Sequence, residues 1–451
     1  METSVSFKDF QLHPAILRAV KQCGYTDPTP IQSETIPKVL AGHDLIASAN
    51  TGTGKTAAFV LPALQRLTKR QFDRKDQKNK RPSSGRPEVL ILTPTRELAN
   101  QVSQAIQDYG QNLRYNSVSL VGGMPYNQQL RRLSRPVDIV VATPGRLLDL
   151  IQRRNIDLSN VNMLVLDEAD RMLDMGFIDE VHQITDMTPE NRQTLLFTAT
   201  WDNQLAGLAS SLLKEPERIQ MENRPTQHNI EQRLHIADNP EHKNRLLAHL
   251  LKDDELTQAI IFSSTKIGAD TLAHNLKAQG FAAAALHGDM KQGARTRTLT
   301  NLRRGKLRLL VATDVAARGL NITSVSHVIN YDIPRFAEDY VHRIGRTGRA
   351  GAAGTAISFV LPDDTLHLER IERFIDQRVP QMEIPGLEPT TSLRRPFRKK
   401  RQSSGRGNSY SAAPRKNHYN DPKRKGSRPN YHEPPPHQQK RRQSKIAGKK
   451  I

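Results

Sequence analysis

Cysteine is nearly absent from this chain: Cys23 stands alone among 451 residues. An internal disulfide is therefore excluded, and a reducing compartment, the cytoplasm, is expected. Cys23 itself reads as a small buried apolar side chain rather than a reactive thiol. No apolar run approaches the ~20 residues needed to span a bilayer. The opening residues, "METSVSFKDF", hold no apolar signal core, so export is not expected. Acidic residues are scarce at the other end: residues 391–451 hold only Asp421 and Glu433 against 19 Lys or Arg. That segment carries +17 and leaves +4 of the total +21 for residues 1–390. A nearly balanced body thus bears a polybasic tail suited to an anionic polymer. The tail is rich in Pro, Ser, Asn and Gln and poor in aliphatics, so disorder is expected there. It has no amphipathic insertion helix or lipidation site, which argues against a membrane partner.

What the chain does have is a series of short β-type runs, each followed by helical periodicity or a turn. The first half holds "DLIASA" (44–49), "VLILTP" (89–94), "DIVVATP" (138–144), "MLVLDEA" (163–169) and "TLLFTAT" (194–200). The second holds "AIIFSST" (259–265), "AAALHGD" (283–289), "LRLLVATD" (307–314), "HVINYD" (327–332) and "TAISFVL" (355–361). Near-continuous apolar strands alternating with helices predict parallel sheets covered on both faces, hence two α/β domains. The expected boundaries are 1–220, a polar linker at 221–232, 233–378, and a basic tail from 379 to 451. The insertion at 69–87, "KRQFDRKDQKNKRPSSGRP", reads as a solvated surface loop. Functional groups in such sheets gather beyond the carboxyl ends of the strands.

"ASANTGTGKTAAF" (47–59) follows a strand and opens a helix. Backbone N–H groups in such a turn, with the helix N-terminus, can wrap a polyphosphate. Lys55 would reach the β and γ phosphates, and the Thr56 hydroxyl would bind Mg²⁺. The full GxxxxGK[ST] pattern fails at its first position, where Ala49 stands. "MLVLDEADRML" (163–173) crowds Asp167, Glu168 and Asp170 at the end of a buried strand. In a phosphate-loop sheet, an Asp at a neighbouring strand end holds the Mg²⁺ that bridges the terminal phosphates, a role Asp167 fits, partly through water. Glu168 is placed to polarise the attacking water, while Asp170 is expected to bond neighbouring backbone or side chains. A solvated acidic helix start would account for one or two acids, but not for their position on a buried strand. In "GYTDPTPIQ" (24–32), the Gln32 amide matches adenine N6–H and N7, with Tyr25 stacking and Phe7 supporting it. Alone, that stretch is a turn with a buried tyrosine. "YVHRIGRTGRAG" (340–351) spaces Arg343, Arg346 and Arg349 so that guanidiniums can converge on phosphate oxygens, worth ~10³ or more in rate as arginine fingers.

These segments resemble, in order, the DEAD-box family of ATP-dependent RNA helicases over residues 1–378. The further matches are "PTRELA" (94–99), "GG" (122–123), "TPGR" (143–146), "DEAD" (167–170), "TAT" (198–200) and "IIFSST" (260–265), followed by "LHGDM" (286–290), "ATDVAARGLN" (312–321) and "HRIGRTGR" (342–349). "GYTDPTPIQ", "DMGF" (174–177), "KQGARTR" (291–297) and "IPGLEP" (384–389) look most like the bacterial RhlE branch. The resemblance implies two RecA-like domains of the P-loop NTPase type, helicase superfamily 2, with ATP and Mg²⁺ between them and RNA crossing both. It assigns Tyr25 and Gln32 to adenine, and Gly52, Thr53, Gly54, Lys55 and Thr56 to phosphates and Mg²⁺. Asp167 and Glu168 take metal and water, Arg346 and Arg349 act as fingers, and Arg343 braces the domain interface. Asp170, Thr198 and Thr200 link the nucleotide state to strand separation. RNA contacts fall on Pro94, Thr95, Arg96, Gly123, Thr143, Gly145, Arg146, Gly288, Arg295 and Thr313. Small hydroxyl and glycine positions at strand ends let a sugar-phosphate chain approach without reading its sequence, and 2′-OH contacts would favour RNA over DNA.

Two departures stand out. Asn321 replaces the family's usual Asp near the ATP ribose, keeping an acceptor but losing a charge, and "TAT" replaces the commoner "SAT". The resemblance leads to local unwinding of short duplexes by a monomer, with ribosome assembly ranked ahead of RNA decay. Ribosomal precursors or RNA degradation machinery are the expected partners. Two other classes compete: an RNA-binding or annealing factor driven by the basic tail, and a DNA helicase of related fold.

Overall fold

The run Met163–Leu166 shows how apolar tetrads build the architecture. In the computed structural model, which describes residues 5–49, 52–76, 84–221, 229–317, 325–348 and 353–391, all four residues are fully buried. Met163 and Val165 join one core cluster while Leu164 and Leu166 join another, because successive strand side chains alternate faces. A strand buried on both sides requires parallel neighbours with helices above and below.

The first sheet contains β1 (Leu45–Ser48), β2 (Val89–Leu92), β3 (Ser117–Leu120), β4 (Ile139–Ala142), β5 (Met163–Leu166), β6 (Gln193–Thr198) and β7 (Glu217–Gln220). Its order is β3-β4-β2-β5-β6-β1-β7. The second contains β8 (Ile230–Ile236), β9 (Ala259–Phe262), β10 (Ala283–Leu286), β11 (Leu309–Ala312), β12 (His327–Asn330) and β13 (Gly354–Val360), ordered β10-β11-β9-β12-β13-β8. Every pairing within both sheets is parallel. Two parallel α/β sheets are what the sequence predicts. The seven helices of the first lobe used below are α1 (Pro14–Gln22), α2 (Pro30–Ala41), α3 (Lys55–Asp76), α4 (Arg96–Gly110), α5 (Tyr126–Leu133), α6 (Pro144–Gln152) and α7 (Ala169–Asp174).

Several sequence expectations need correction. β3, β7 and β8 go unanticipated because they are edge strands; β7, for example, buries only Ile219, so no apolar run marks it. β8 begins at Ile230, inside the stretch read as linker. The presumed loop at 69–87 starts as helix, since α3 continues to Asp76; residues 77–83 lie outside the described part. Cys23, expected to be buried, is exposed at the end of α1.

The largest departure from the sequence expectation is at residues 379–391, expected to belong to the disordered tail. They form a strap along the open edge of β8. Leu234 N–H donates to Pro380 O, and Met382 N–H donates to Leu234 O, each at 2.8 Å. Ile384 is buried in the second-lobe core. His242 Nδ1 accepts from Asp238 N–H at 3.2 Å, which leaves Nε2 to donate to Leu387 O at 3.0 Å. Asp238 then accepts from Thr390 and Thr391 N–H at 3.0 and 2.9 Å. Covering an edge strand removes a template for unwanted pairing. The remaining tail, 392–451, lies outside the described residues. Among the described residues, no helix is long and apolar enough to cross a membrane.

Candidate active site

The strand order of the first sheet sorts the polar motifs into two groups. The ends of β3, β4 and β2 carry Gly123, Thr143 and Pro94, the residues matched to RNA. The ends of β5, β6 and β1 carry Asp167, Thr198 and the glycine turn matched to phosphates. Neighbouring strands are ~4.8 Å apart, so the groups meet at the β2–β5 pair.

In the phosphate group, Gly52 and Gly54 both adopt positive φ, 92° and 96°. A side chain on Gly54 would collide with the Gln32 amide. Gln32 is buried: its Nε2 donates to Gly54 O at 3.1 Å, and its Oε1 accepts from Thr29 N–H at 3.0 Å. It therefore ties α2 to the turn. Thr53 and Thr56 are half-buried there. Lys55 Nζ folds back onto the carbonyls of Ala49 at 2.5 Å and Thr198 at 3.2 Å. Phe7, read as backing Tyr25, is instead buried in the core, edge-on to Phe10 with ring centres 6.1 Å apart. The ring beside the half-exposed Tyr25 is Tyr109 of α4, at 6.2 Å.

The pairing of β5 with β2 continues one residue further, since Asp167 N–H donates to Leu92 O. Glu168 then takes the left-handed conformation, φ 53° and ψ 53°, a strained state for a non-glycine residue that clusters at functional sites. Asp170 Oδ2 accepts from Ala199 N–H at 3.2 Å and from both the N–H and hydroxyl of Thr200 at 3.0 Å. The Thr198 hydroxyl donates to Thr200 O at 2.6 Å. The "TAT" loop thus touches Lys55 on one side and the acidic helix start on the other.

Burial, followed by the neighbouring Glu168 charge, pushes the Asp167 carboxyl up to about 7. Burial also raises Glu168, against the pull of Lys55 and then, more weakly, of Arg346. Two carboxyls held above their ordinary range, beside a lysine resting on carbonyls, fit a bound Mg²⁺ and a phosphate chain. Among the described residues, no three carboxylate, imidazole or thiol groups converge to hold a metal unaided, which suits an ion held largely by phosphates and water. A consequence is testable without ligand. The folded carboxyl of Asp167 ionises well above the unfolded value near 3.8, so its neutral form stabilises the fold below that value. That contribution is lost as pH rises toward about 7. Thermal melts at pH 5 and 7.5 without nucleotide are expected to show a decline in Tm that Asp167→Asn reduces.

The second lobe supplies arginines. Arg346 is buried, its Nε donating to His342 O at 3.3 Å, and its charge reaches Glu168. Arg343, expected to brace the interface, bonds entirely within its own lobe. It grips both oxygens of Asp314 at 2.6 and 2.7 Å, together with Asn330 Oδ1 and Asp332 O. Asn321 and Arg349 lie outside the described residues.

Other residues join the lobes. Arg171 Nη1 lies 2.8 Å from Asp339 Oδ1, with both side chains under 10% exposed. Glu97 Oε1 accepts from Arg295 Nε at 3.0 Å and lies 2.9 Å from Nη2, also buried. Gln292 adds a 3.3 Å bond to Glu97. Arg295, read as an RNA contact, is therefore spent on a carboxylate, and Glu97, Gln292, Arg171 and Asp339 were missed. Their partners lie 168 to 198 residues away, and no local pattern announces them.

The RNA-matched residues present a different surface. Thr95 caps α4 by accepting from Leu98 N–H. Gly123 (φ 70°) leaves room for the Arg96 guanidinium. Burial and the nearby charges of Arg295 and Arg146 lower the Arg96 pKa, so three guanidiniums crowd together near Glu97. Gly145 faces open space at the start of α6, behind Thr143. Gly288 and Thr313 follow the adjacent strands β10 and β11. A cationic cluster beside a helix N-terminus suits a phosphate backbone.

Comparison with known proteins agrees with this geometry. The DEAD/DEAH box helicase family profile matches residues 29–208, and the helicase conserved C-terminal domain matches 242–351. The chain is 42% identical to the ATP-dependent RNA helicase SrmB of Escherichia coli, covering 86% of each protein. It is 40% identical to the DEAD-box ATP-dependent RNA helicase CshA of Bacillus subtilis, over 85% of this chain and 75% of that one. Saccharomyces cerevisiae Dbp5 bound to RNA and ADP BeF3 superposes with a TM-score of 0.73 at 31% identity, covering 84% of this chain and 95% of that one. With a phosphate turn, a strained acidic strand end and two parallel-sheet lobes sharing these profiles, the chain belongs to the DEAD-box family of ATP-hydrolysing RNA helicases.

Proposed function

We propose that this helicase grips single-stranded RNA without regard to sequence and locally separates short duplexes as its lobes close around ATP. The observation that carries the reading is the pairing of two lobe-to-lobe bridges with the two halves of the first sheet. Glu97–Arg295 stands at the RNA-matched strand ends, and Arg171–Asp339 stands beside the acidic one. Forming both bridges together makes nucleotide and RNA grip parts of one closing motion.

In this scheme Lys55 leaves its two carbonyls for the phosphate chain, Thr56 and Asp167 are the residues that would hold Mg²⁺, and Glu168 orients the attacking water and takes its proton. A bound Mg²⁺ would supply charge neutralisation on the terminal phosphates. Arg346, with Arg349, stabilises the charge that develops at the γ-phosphate. Asp170, Thr198 and Thr200 relay the state of that site. Pro94, Thr95, Arg96, Gly123, Thr143, Gly145, Arg146, Gly288 and Thr313 face the strand, and bending it breaks its fit to a duplex. Gln32 and Tyr25 remain the adenine candidates. The first domain spans 1–220 and the second extends through the strap to 391. We place the protein in the cytoplasm as a monomer of the RhlE-like branch acting in ribosome assembly, with RNA decay as the second role.

ATP hydrolysis measured with matched RNA and DNA strands tests the reading. Stimulation by RNA and little by DNA is expected, because the loading contacts favour the 2′-OH. RNA-independent turnover, or equal stimulation by DNA, would overturn it.

A further inference from the structure

Arg146 carries an oddity that its match to RNA does not explain. Its Nη1 is buried and has no hydrogen-bond acceptor. An orphaned donor on a cation is costly, so something else must satisfy it. The guanidinium carbon lies 5.5 Å from the centre of the Tyr126 ring, within the range of a cation–π contact. The negative face of the ring takes the place of the missing acceptor.

Tyr126 is itself held. Its ring packs against the core beneath α6, and its hydroxyl accepts from Asn155 Nδ2 at 3.4 Å. It opens α5, whose Gln129 donates to the carbonyls of Val121 and Met124 at 3.2 and 3.3 Å. The same short helix therefore fixes the glycine pair that makes room for Arg96. Asp149 reaches Arg146 only at long range, its Oδ2 4.0 Å from Arg146 Nε. It is drawn instead to Arg153, whose Nε donates to the other oxygen, Oδ1, at 2.8 Å. Arg153 also lies over Tyr126, at 5.4 Å.

We infer that Tyr126 is a positioning residue for RNA binding: it holds the inner side of the Arg146 guanidinium, while Arg153 keeps Asp149 engaged, so that the outer edge of Arg146 stays available to a phosphate. The inference rests on the proposed RNA role of Arg146. It adds a residue outside the matched motifs that sets RNA affinity and leaves the chemistry alone.

RNA-stimulated ATP hydrolysis, titrated with a single-stranded RNA, tests it in the full-length chain. Tyr126→Leu is expected to raise the RNA concentration for half-maximal stimulation about tenfold. Turnover at saturating RNA and the KM for ATP should stay near wild type, and Tyr126→Phe should restore RNA affinity to within about twofold. On an Arg146→Ala background, Tyr126→Leu should cost nothing further, as coupled neighbours do not add. Arg146→Lys, at a side chain 18% exposed, keeps the charge but loses the planar stack, and should weaken RNA like Tyr126→Leu. Independent, multiplying losses, or lowered turnover with an unchanged RNA requirement, would overturn the inference, as would wild-type behaviour of Arg146→Lys. If Arg146→Ala weakens RNA but Tyr126→Leu does not, this inference fails alone. If Arg146→Ala changes nothing, the RNA role of Arg146 fails with it.

Discussion

Replacing Glu168 with glutamine is expected to lower RNA-stimulated ATP hydrolysis by ~10³-fold, the scale of a lost general base. Glutamine keeps the shape and can still point at a water, but it cannot take a proton. The residue is held where a base is useful. Burial raises its proton affinity, and the left-handed backbone at 53°, 53° sets it just beyond the strand that delivers Asp167. The same change removes a carboxylate crowded by Asp167 and Asp170, so the nucleotide-free protein should melt higher even as it turns over more slowly. Sites that sacrifice stability for chemistry behave this way. RNA binding in the presence of ATP should persist, because the substitution leaves the grip residues untouched. Turnover within tenfold of wild type, with Tm unchanged, would remove Glu168 from the role of base.

The second large effect is expected at the Glu97–Arg295 bridge. Removing one partner of a buried ion pair leaves the other uncompensated, typically at a cost of 3–5 kcal/mol. Here that cost falls on the closed arrangement of the lobes, since each lobe has core clusters of its own. Glu97→Ala or Arg295→Ala should therefore cut RNA-stimulated turnover by ~10²-fold or more while shifting Tm little. The double variant should be less impaired than the two losses combined, because the stranded charge is gone. Arg171 and Asp339 should behave in the same way, with Asp174 softening the loss of Asp339 alone by keeping Arg171 paired. Fully additive losses in the double variant would show that the residues act separately and not as a bridge.

Local chemistry was written plainly enough to be read without coordinates. Tetrads such as "VLIL" and "MLVL", too short for a helix and bounded by turn residues, read as strands buried on both faces, which puts the polar residues that follow them at strand ends. The glycine turn before Lys55 and the acids after Leu166 therefore came out in the right places, because each depends on neighbours within a few residues. Edge strands were lost for the same reason: β7 has one buried residue and no periodic signal. The strap at 379–391 is not legible in the sequence because three prolines and a glycine leave it no helical or strand periodicity, while its order comes from Leu234, His242 and Asp238, more than 140 residues earlier.

What folding alone settled is which charge meets which. Arg343, Arg346 and Arg295 are alike in sequence, each an arginine within a polar motif. One is buried against Asp314, one reaches toward Glu168, and one closes on Glu97. An arginine's role depends on the carboxylate or phosphate that desolvation forces beside it, and that neighbour is chosen by how two sheets pack, across separations that leave no trace in local spacing.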